Sequence, residues 1–283
     1  MAAMMRTAIS VALLLAIPAF AGEASGEFKT NKRAPIRPKY AAAYETRDQR
    51  DARKRIIEVV LSEEPVDAQS AVTELDPHTQ VINQKALWDH NYVLLWVRPN
   101  NDVSMNATYS EKMTQFVDMT PGRLQAKIDV LTADHVAGRL FTTEPVKTMG
   151  DENYSLNLKF STDITRAPAA TRLPAGGGEP GKALASLRGA ITKKNWNAIK
   201  SGVTAQRAES FTDVDDAIST FGMWLPKKQG KITGGDLRGD SAILELESDI
   251  FEGQPGLFLV RMVKSGDRWL FDRATRAGFI DSK

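Results

Sequence analysis

The chain is 283 residues long, with 37 Lys and Arg against 35 Asp and Glu and no Cys. A formal charge of +2 gives no reason to expect nucleic acid as a partner. Without Cys the chain is no disulfide scaffold, thiolate metal protein, Cys-nucleophile enzyme or bacterial lipoprotein, and at 42% hydrophobic residues it can bury the cores of one large or two ordinary domains.

Residues 1–21 read as a secretory signal. Arg6 gives the positive end, Thr7 to Ile17 form an uncharged, mostly apolar run, and Ala19 and Ala21 are the small residues at −3 and −1 before Gly22. The run is shorter than the ~20 apolar residues a spanning helix needs. The expectation is a soluble protein, periplasmic or secreted, cleaved near Ala21. Residues 22–55 are rich in Lys and Arg, include Pro35 and Pro38 and hold few large apolar side chains. That composition predicts a basic flexible arm, with a charged helix over 41–55.

Residues 56–165 read as a β-rich, sandwich-like domain. Ile56 to Leu61 is a short apolar run, and Tyr92 to Val97 is apolar on both faces, as a central strand is. Leu124, Ala126, Ile128 and Val130 alternate with polar residues, as do Tyr154, Leu156, Leu158 and Phe160. A period of two marks strands with one wet face. Residues 166–181 are dense in Pro and Gly, which predicts a linker.

Residues 182–283 read as a second domain of α+β class. Lys182 to Ile191 carry a helical apolar face, Asn195 caps a short helix holding Trp196 and Ile199, and Thr212 is a candidate cap for another. That last helix carries a stripe of Val214, Ala217, Ile218, Phe221 and Trp224 and stops at Pro226. Strands follow at Lys231–Leu237, Ser241–Ile250, Gly256–Lys264 and Arg268–Arg273, with hairpin turns at Gly239-Asp240 and Ser265-Gly266-Asp267. Helices followed by an antiparallel meander suggest a sheet wrapped on helices.

Several segments carry a likeness. They are Gly178-Glu179-Pro180-Gly181-Lys182-Ala183, Lys194 to Ile199, Ile232 to Ala242, Leu259 to Lys264 and Trp269-Leu270-Phe271-Asp272. Over residues 175–278 the chain resembles the ketosteroid-isomerase-like, or nuclear-transport-factor-2-like, fold. More narrowly it resembles exported bacterial versions that follow a β-rich domain and have no assigned activity. The resemblance implies a cone-shaped domain with a curved antiparallel sheet, and homodimerisation through its open sheet face. Activities in that fold range from isomerases and cyclases to adaptors and binding modules.

Enzymes of that fold resemble one another in using Asp, His or Tyr inside the cone. Here all three His (His78, His90, His135) and all five Tyr precede the linker, so in the second domain only Asp, Glu, Lys and Arg remain for a step that needs a Tyr or a protonated acid to stabilise an enolate. No catalytic residue is assigned. Asp89-His90 and Asp134-His135 are adjacent in sequence, so on a strand each pair points to opposite faces and forms no dyad. With no metal-ligand spacing, P-loop or dinucleotide fingerprint, no cofactor or metal is expected.

Glu245 and Glu247 lie opposite Ala242, Leu244 and Leu246 on their strand, which places both acids toward water. Arg261 sits on a strand apolar on both faces, either holding an anionic ligand group or pairing with a neighbouring acid. Trp269 is either a core plug or a stacking surface. The candidate ligand site is thus Phe221, Trp224, Arg261 and Trp269. The leading expectation is an exported, non-enzymatic envelope protein binding a small apolar or anionic ligand or an envelope protein. The alternatives are an isomerase- or cyclase-type acid–base enzyme acting in the cone, and an inhibitor or adaptor docking through the β-domain edge by strand addition.

Overall fold

The structure is a computed structural model that describes residues 22–111, 114–118, 124–148, 151–226, 230–251 and 253–281. The expected secretory signal lies outside the described residues. Among them no helix is long and apolar enough to cross a membrane.

The first half is one sheet. Its strands are β1 (Gly22–Thr30), β2 (Tyr40–Arg47), β3 (Arg55–Ser62), β4 (Tyr92–Val97), β5 (Val103–Tyr109), β6 (Thr114–Asp118), β7 (Gln125–Leu131), β8 (His135–Phe141), β9 (Val146–Lys147) and β10 (Asn153–Thr165). They lie in the order β6-β5-β4-β3-β2-β1-β10-β8-β7, with β9 beside β10. The sheet curls into an antiparallel half-barrel rather than splitting into the two layers of a sandwich. Strand twist accumulates across so many strands until the sheet packs on itself. Phe28 of β1 accordingly meets Phe116 of β6 at 5.7 Å between ring centres, although four strands separate them in the sheet. β10 shows the predicted alternation, with Tyr154, Leu156, Leu158 and Phe160 buried in the concave core.

The predicted arm and helix over 22–55 are corrected by β1 and β2, which lie well inside this sheet. The large apolar side chains of the segment are packed: Phe28 and Ile36 are fully buried and exchange two backbone hydrogen bonds of 2.9 Å. In β2, Ala41 and Ala43 face the concave core while Ala42 and Tyr44 face the opposite side. Small alanines let both faces of the strand be covered closely. The cover on the outer face is α1 (Ala68–Ala71), α2 (Pro77–Ile82) and α3 (Lys85–Trp88), short helices whose Val81 and Leu87 pack on Tyr92 and Leu94 of β4.

The second half pairs helices with a five-stranded antiparallel sheet. Its elements are β11 (Thr171–Leu173), α4 (Gly178–Thr192), α5 (Trp196–Ser201), α6 (Ala205–Ser210), α7 (Val214–Trp224), β12 (Lys231–Arg238), β13 (Ser241–Phe251), β14 (Gln254–Ser265) and β15 (Arg268–Phe279). The Pro/Gly stretch is only partly a linker. β11 lies inside it and pairs with β12, and α4 starts at Gly178, with Pro180 in a first turn where a missing N–H is harmless. The cap of α7 is Asp213 rather than Thr212: its carboxylate accepts from the amides of Asp215 and Asp216 at 2.9 Å.

One face of this sheet packs on the helices through Ala242, Leu244, Leu246, Val260, Met262 and Phe271. The other face carries Ile243, Leu257 and Leu259, and these pack on Ala52 and Leu75 of the first half. This part of the sheet's second face is therefore covered by the chain itself. The contact is tight at Gly278, whose φ is +147°; an added Cβ there would stand 3.1 Å from the Gln49 carbonyl oxygen and 3.3 Å from the Ala52 Cβ. Next to it, Ala52 N–H donates to the Phe279 carbonyl at 2.8 Å.

Candidate functional site

The four residues chosen from sequence do not converge. Phe221 is 2% exposed and meets Phe271 and Trp224 edge-on at 5.1 and 6.1 Å. Trp224 stacks on Phe271, and the Arg207 guanidinium covers it at 4.8 Å. Trp269 packs half-buried against the same core, on the wall of a surface pocket beside Lys182 and Arg268. Arg261 lies on the opposite face of the sheet, because strand alternation sets it against Val260 and Met262. There it donates to the Thr73 carbonyl and stands 3.5 Å from the Glu74 carboxylate, so of its two expected roles the structure shows the pairing with an acid.

Glu245 does not face water as expected, and Glu247 does so only in part. Glu245 binds Arg47 of β2 at 2.5 Å and is held from the other side by Arg172, while Glu247 takes a bidentate bond from Arg53 at 2.8 and 2.9 Å. Burial raises the Glu245 pKa, but the two arginines outweigh it and hold the carboxyl below its ordinary value. With Glu74 bound to Arg273, these pairs form a belt joining the halves.

Between the halves lies a cavity of about 540 Å³. Its first-half wall is built around one buried acid. Glu58 of β3 stands directly across from Tyr44 of β2 and Trp96 of β4, so the three side chains form a row over adjacent strands. Glu58 is 1% exposed, and its carboxylate accepts from Tyr44 Oη at 2.6 Å and Trp96 Nε1 at 3.1 Å. His78 of α2 completes the set through Nδ1 at 2.7 Å. The helix start fixes the imidazole over the row: Pro77 opens α2, and Asp76 caps it by accepting from Thr79 N–H at 3.1 Å and Thr79 Oγ1 at 2.7 Å. A buried carboxylate is tolerable only when so well bonded.

This constellation sets the local protonation. Burial pushes the His78 pKa down, yet the hydrogen bond and charge of Glu58, with Asp76 behind them, raise it above its ordinary value. Burial and the Glu58 charge push the Tyr44 hydroxyl well up, so it stays a neutral donor. A carboxylate only accepts, so Nδ1 of His78 carries a proton and Nε2 has no partner among the described residues.

Five arginines also line the cavity. Arg47, Arg166 and Arg238 are spent on Glu245, Glu45 and Asp236. Arg55 and Arg276 have no carboxylate partner among the described residues; Arg276 rests over the Phe279 ring at 6.0 Å. No group of three metal-ligating side chains occurs among the described residues. A wider groove of about 800 Å³ beside Met223, Pro226 and Phe251 has no fully buried polar side chain on its described walls.

Sequence reading passed over Tyr44, Glu58, His78 and Trp96. One signal was there: Glu58 interrupts the apolar run Ile56 to Leu61, and a charge in a buried strand demands partners. Comparison with protein-family models, with curated proteins and with solved structures found no match.

Proposed function

We propose that this chain is an exported, non-enzymatic binding protein that takes a small organic anion into the cavity between its halves. The observation that carries the reading is Arg55, which has no carboxylate partner among the described residues, on the wall of a cavity of about 540 Å³, with Arg276, equally without one, lining both this cavity and the neighbouring groove. Small-molecule sites fall in the range of roughly 300–1,000 Å³. Arginine binds carboxylate, phosphate and sulfonate groups through paired donors. Ile243 and Leu259 on the opposite wall offer an apolar surface for the ligand's body. Export is supported by the pattern of Arg6, the run from Thr7 to Ile17 and the small residues before Gly22. The ketosteroid-isomerase-like reading is supported by helices packed on one face of a five-stranded antiparallel sheet.

One observation favours acid–base catalysis as a second reading: an imidazole oriented by a buried carboxylate. This site would lie between the halves and not in a cone.

Calorimetric titration of the full chain with naphthalene-1-sulfonate tests the proposal. Saturable one-to-one binding is expected, weakened about tenfold or more, near 1.4 kcal/mol, by Arg55→Ala and again by Arg276→Ala. Equal affinity in all three proteins, or no saturable binding, overturns it. Conversion of a bound carboxylate ester to product, lost in His78→Gln, would favour the catalytic reading.

A further inference from the structure

Glu58 fixes more than the position of His78. It takes the Nδ1 proton at 2.7 Å, so the second proton of an imidazolium sits on Nε2, the nitrogen with no partner among the described residues. The groups facing His78 leave that donor unspent. Tyr44 from β2 and Trp96 from β4 are both committed to Glu58, and Asp76 is committed to Thr79. Around the cavity, Glu45 is bound by Arg166, Arg47 by Glu245, and Glu74 by Arg273. Arg55 and Arg276 on the described walls have no carboxylate partner, and the one carboxylate there without a cation partner is Asp76, whose oxygens are taken by Thr79.

We infer, resting on the binding reading above, that His78, as an imidazolium anchored by Glu58, donates Nε2–H to the anionic head of the ligand. The ligand is then an anion bound by the protonated protein and released as His78 loses its proton. The sign follows from the chemistry. An imidazolium donates at both nitrogens, whereas a neutral ring with its proton on Nδ1 turns a lone pair toward the anion. Affinity is full below the His78 pKa, which Glu58 raises against burial, and falls as pH climbs through it. By reciprocity, the bound anion raises that pKa further.

The test uses the full chain and naphthalene-1-sulfonate, whose charge does not titrate in the working pH range. Affinity is measured by calorimetry across the His78 titration, and the ring signals of His78, His90 and His135 are followed by NMR with and without the sulfonate. Affinity should fall on the order of tenfold above the His78 pKa, and that pKa should rise by about one unit on binding. His90 and His135, which do not line the cavity, should not move. His78→Gln should remove the pH step while leaving the contacts of Arg55 in place. Binding that is indifferent to pH, or a His78 pKa unmoved by a bound sulfonate, overturns the inference and leaves the cavity reading standing. No binding at any pH overturns both.

Discussion

Replacing Glu58 with Gln changes one charge at the centre of the first-half wall. The carboxylate accepts hydrogen bonds of 2.6, 2.7 and 3.1 Å from three side chains while 1% exposed. A Gln carbonyl oxygen has two lone pairs for the three donors, so while His78 keeps its Nδ1 proton at least one donor is orphaned, and the NH₂ group adds donors where donors already converge. An orphaned buried donor costs about 1–3 kcal/mol, and removing one partner of a buried charge pair costs about 3–5 kcal/mol. Because His78 can neutralise by losing its proton, the expected loss is about 2–4 kcal/mol, read as a lower urea midpoint by tryptophan fluorescence. The same variant leaves burial as the main influence on His78, so its pKa should drop from above its ordinary value to below it. A loss under about 0.5 kcal/mol together with an unmoved His78 pKa would refute the account of this row.

Gly278→Ala should destabilise by about 1–3 kcal/mol in the same urea assay, since φ of +147° strains any side chain and a methyl would stand a tight 3.1 Å from the Gln49 carbonyl; an unchanged midpoint would refute the close approach. Phe221→Ala should cost about 3–5 kcal/mol of stability while the folded fraction keeps its affinity for naphthalene-1-sulfonate, because the ring is core and not ligand wall. Glu245 has a depressed pKa, so its contribution to stability is present above its unfolded pKa and is lost as pH falls through the folded one. Acid titration of Glu245→Gln should therefore show a shallower loss of stability than the parent, and parallel curves would refute the role of the belt.

Legibility in the sequence followed the local signal. The alternation in Tyr154 to Phe160 and the helical stripe through Phe221 are properties of neighbouring residues, and both elements form where the pattern places them. β2 was illegible because Ala41 to Ala43 read as helix formers, while their actual role is to be small between two covers. The candidate site failed for a related reason. Phe221 was read as ligand wall and is core, and Arg261 was read as holding an anion or pairing with an acid and does the second; a strand's two faces belong to different environments, and only the fold shows what stands opposite Arg261. The apolar residues on both faces of β14 were the trace of that second cover. Glu58 and His78 are 20 positions apart and are joined by a strand register and a helix start, neither of which spacing encodes.

The seam between the two sheets also bears on how this chain can be cut or shuffled. Arg55 and His78 come from one side of it and Arg276 from the other, so a fragment ending near residue 170 would keep part of the cavity wall and lose the rest. Released from its neighbour, the β13–β15 surface would present Ile243, Leu257 and Leu259 to solvent beside a Glu247 stripped of Arg53 and a Glu245 left with Arg172 alone, a combination prone to sticking. Inheritance of the two segments is thereby coupled: a recombination event that swaps one alone must find a replacement matching both the greasy patch and its ring of opposite charges.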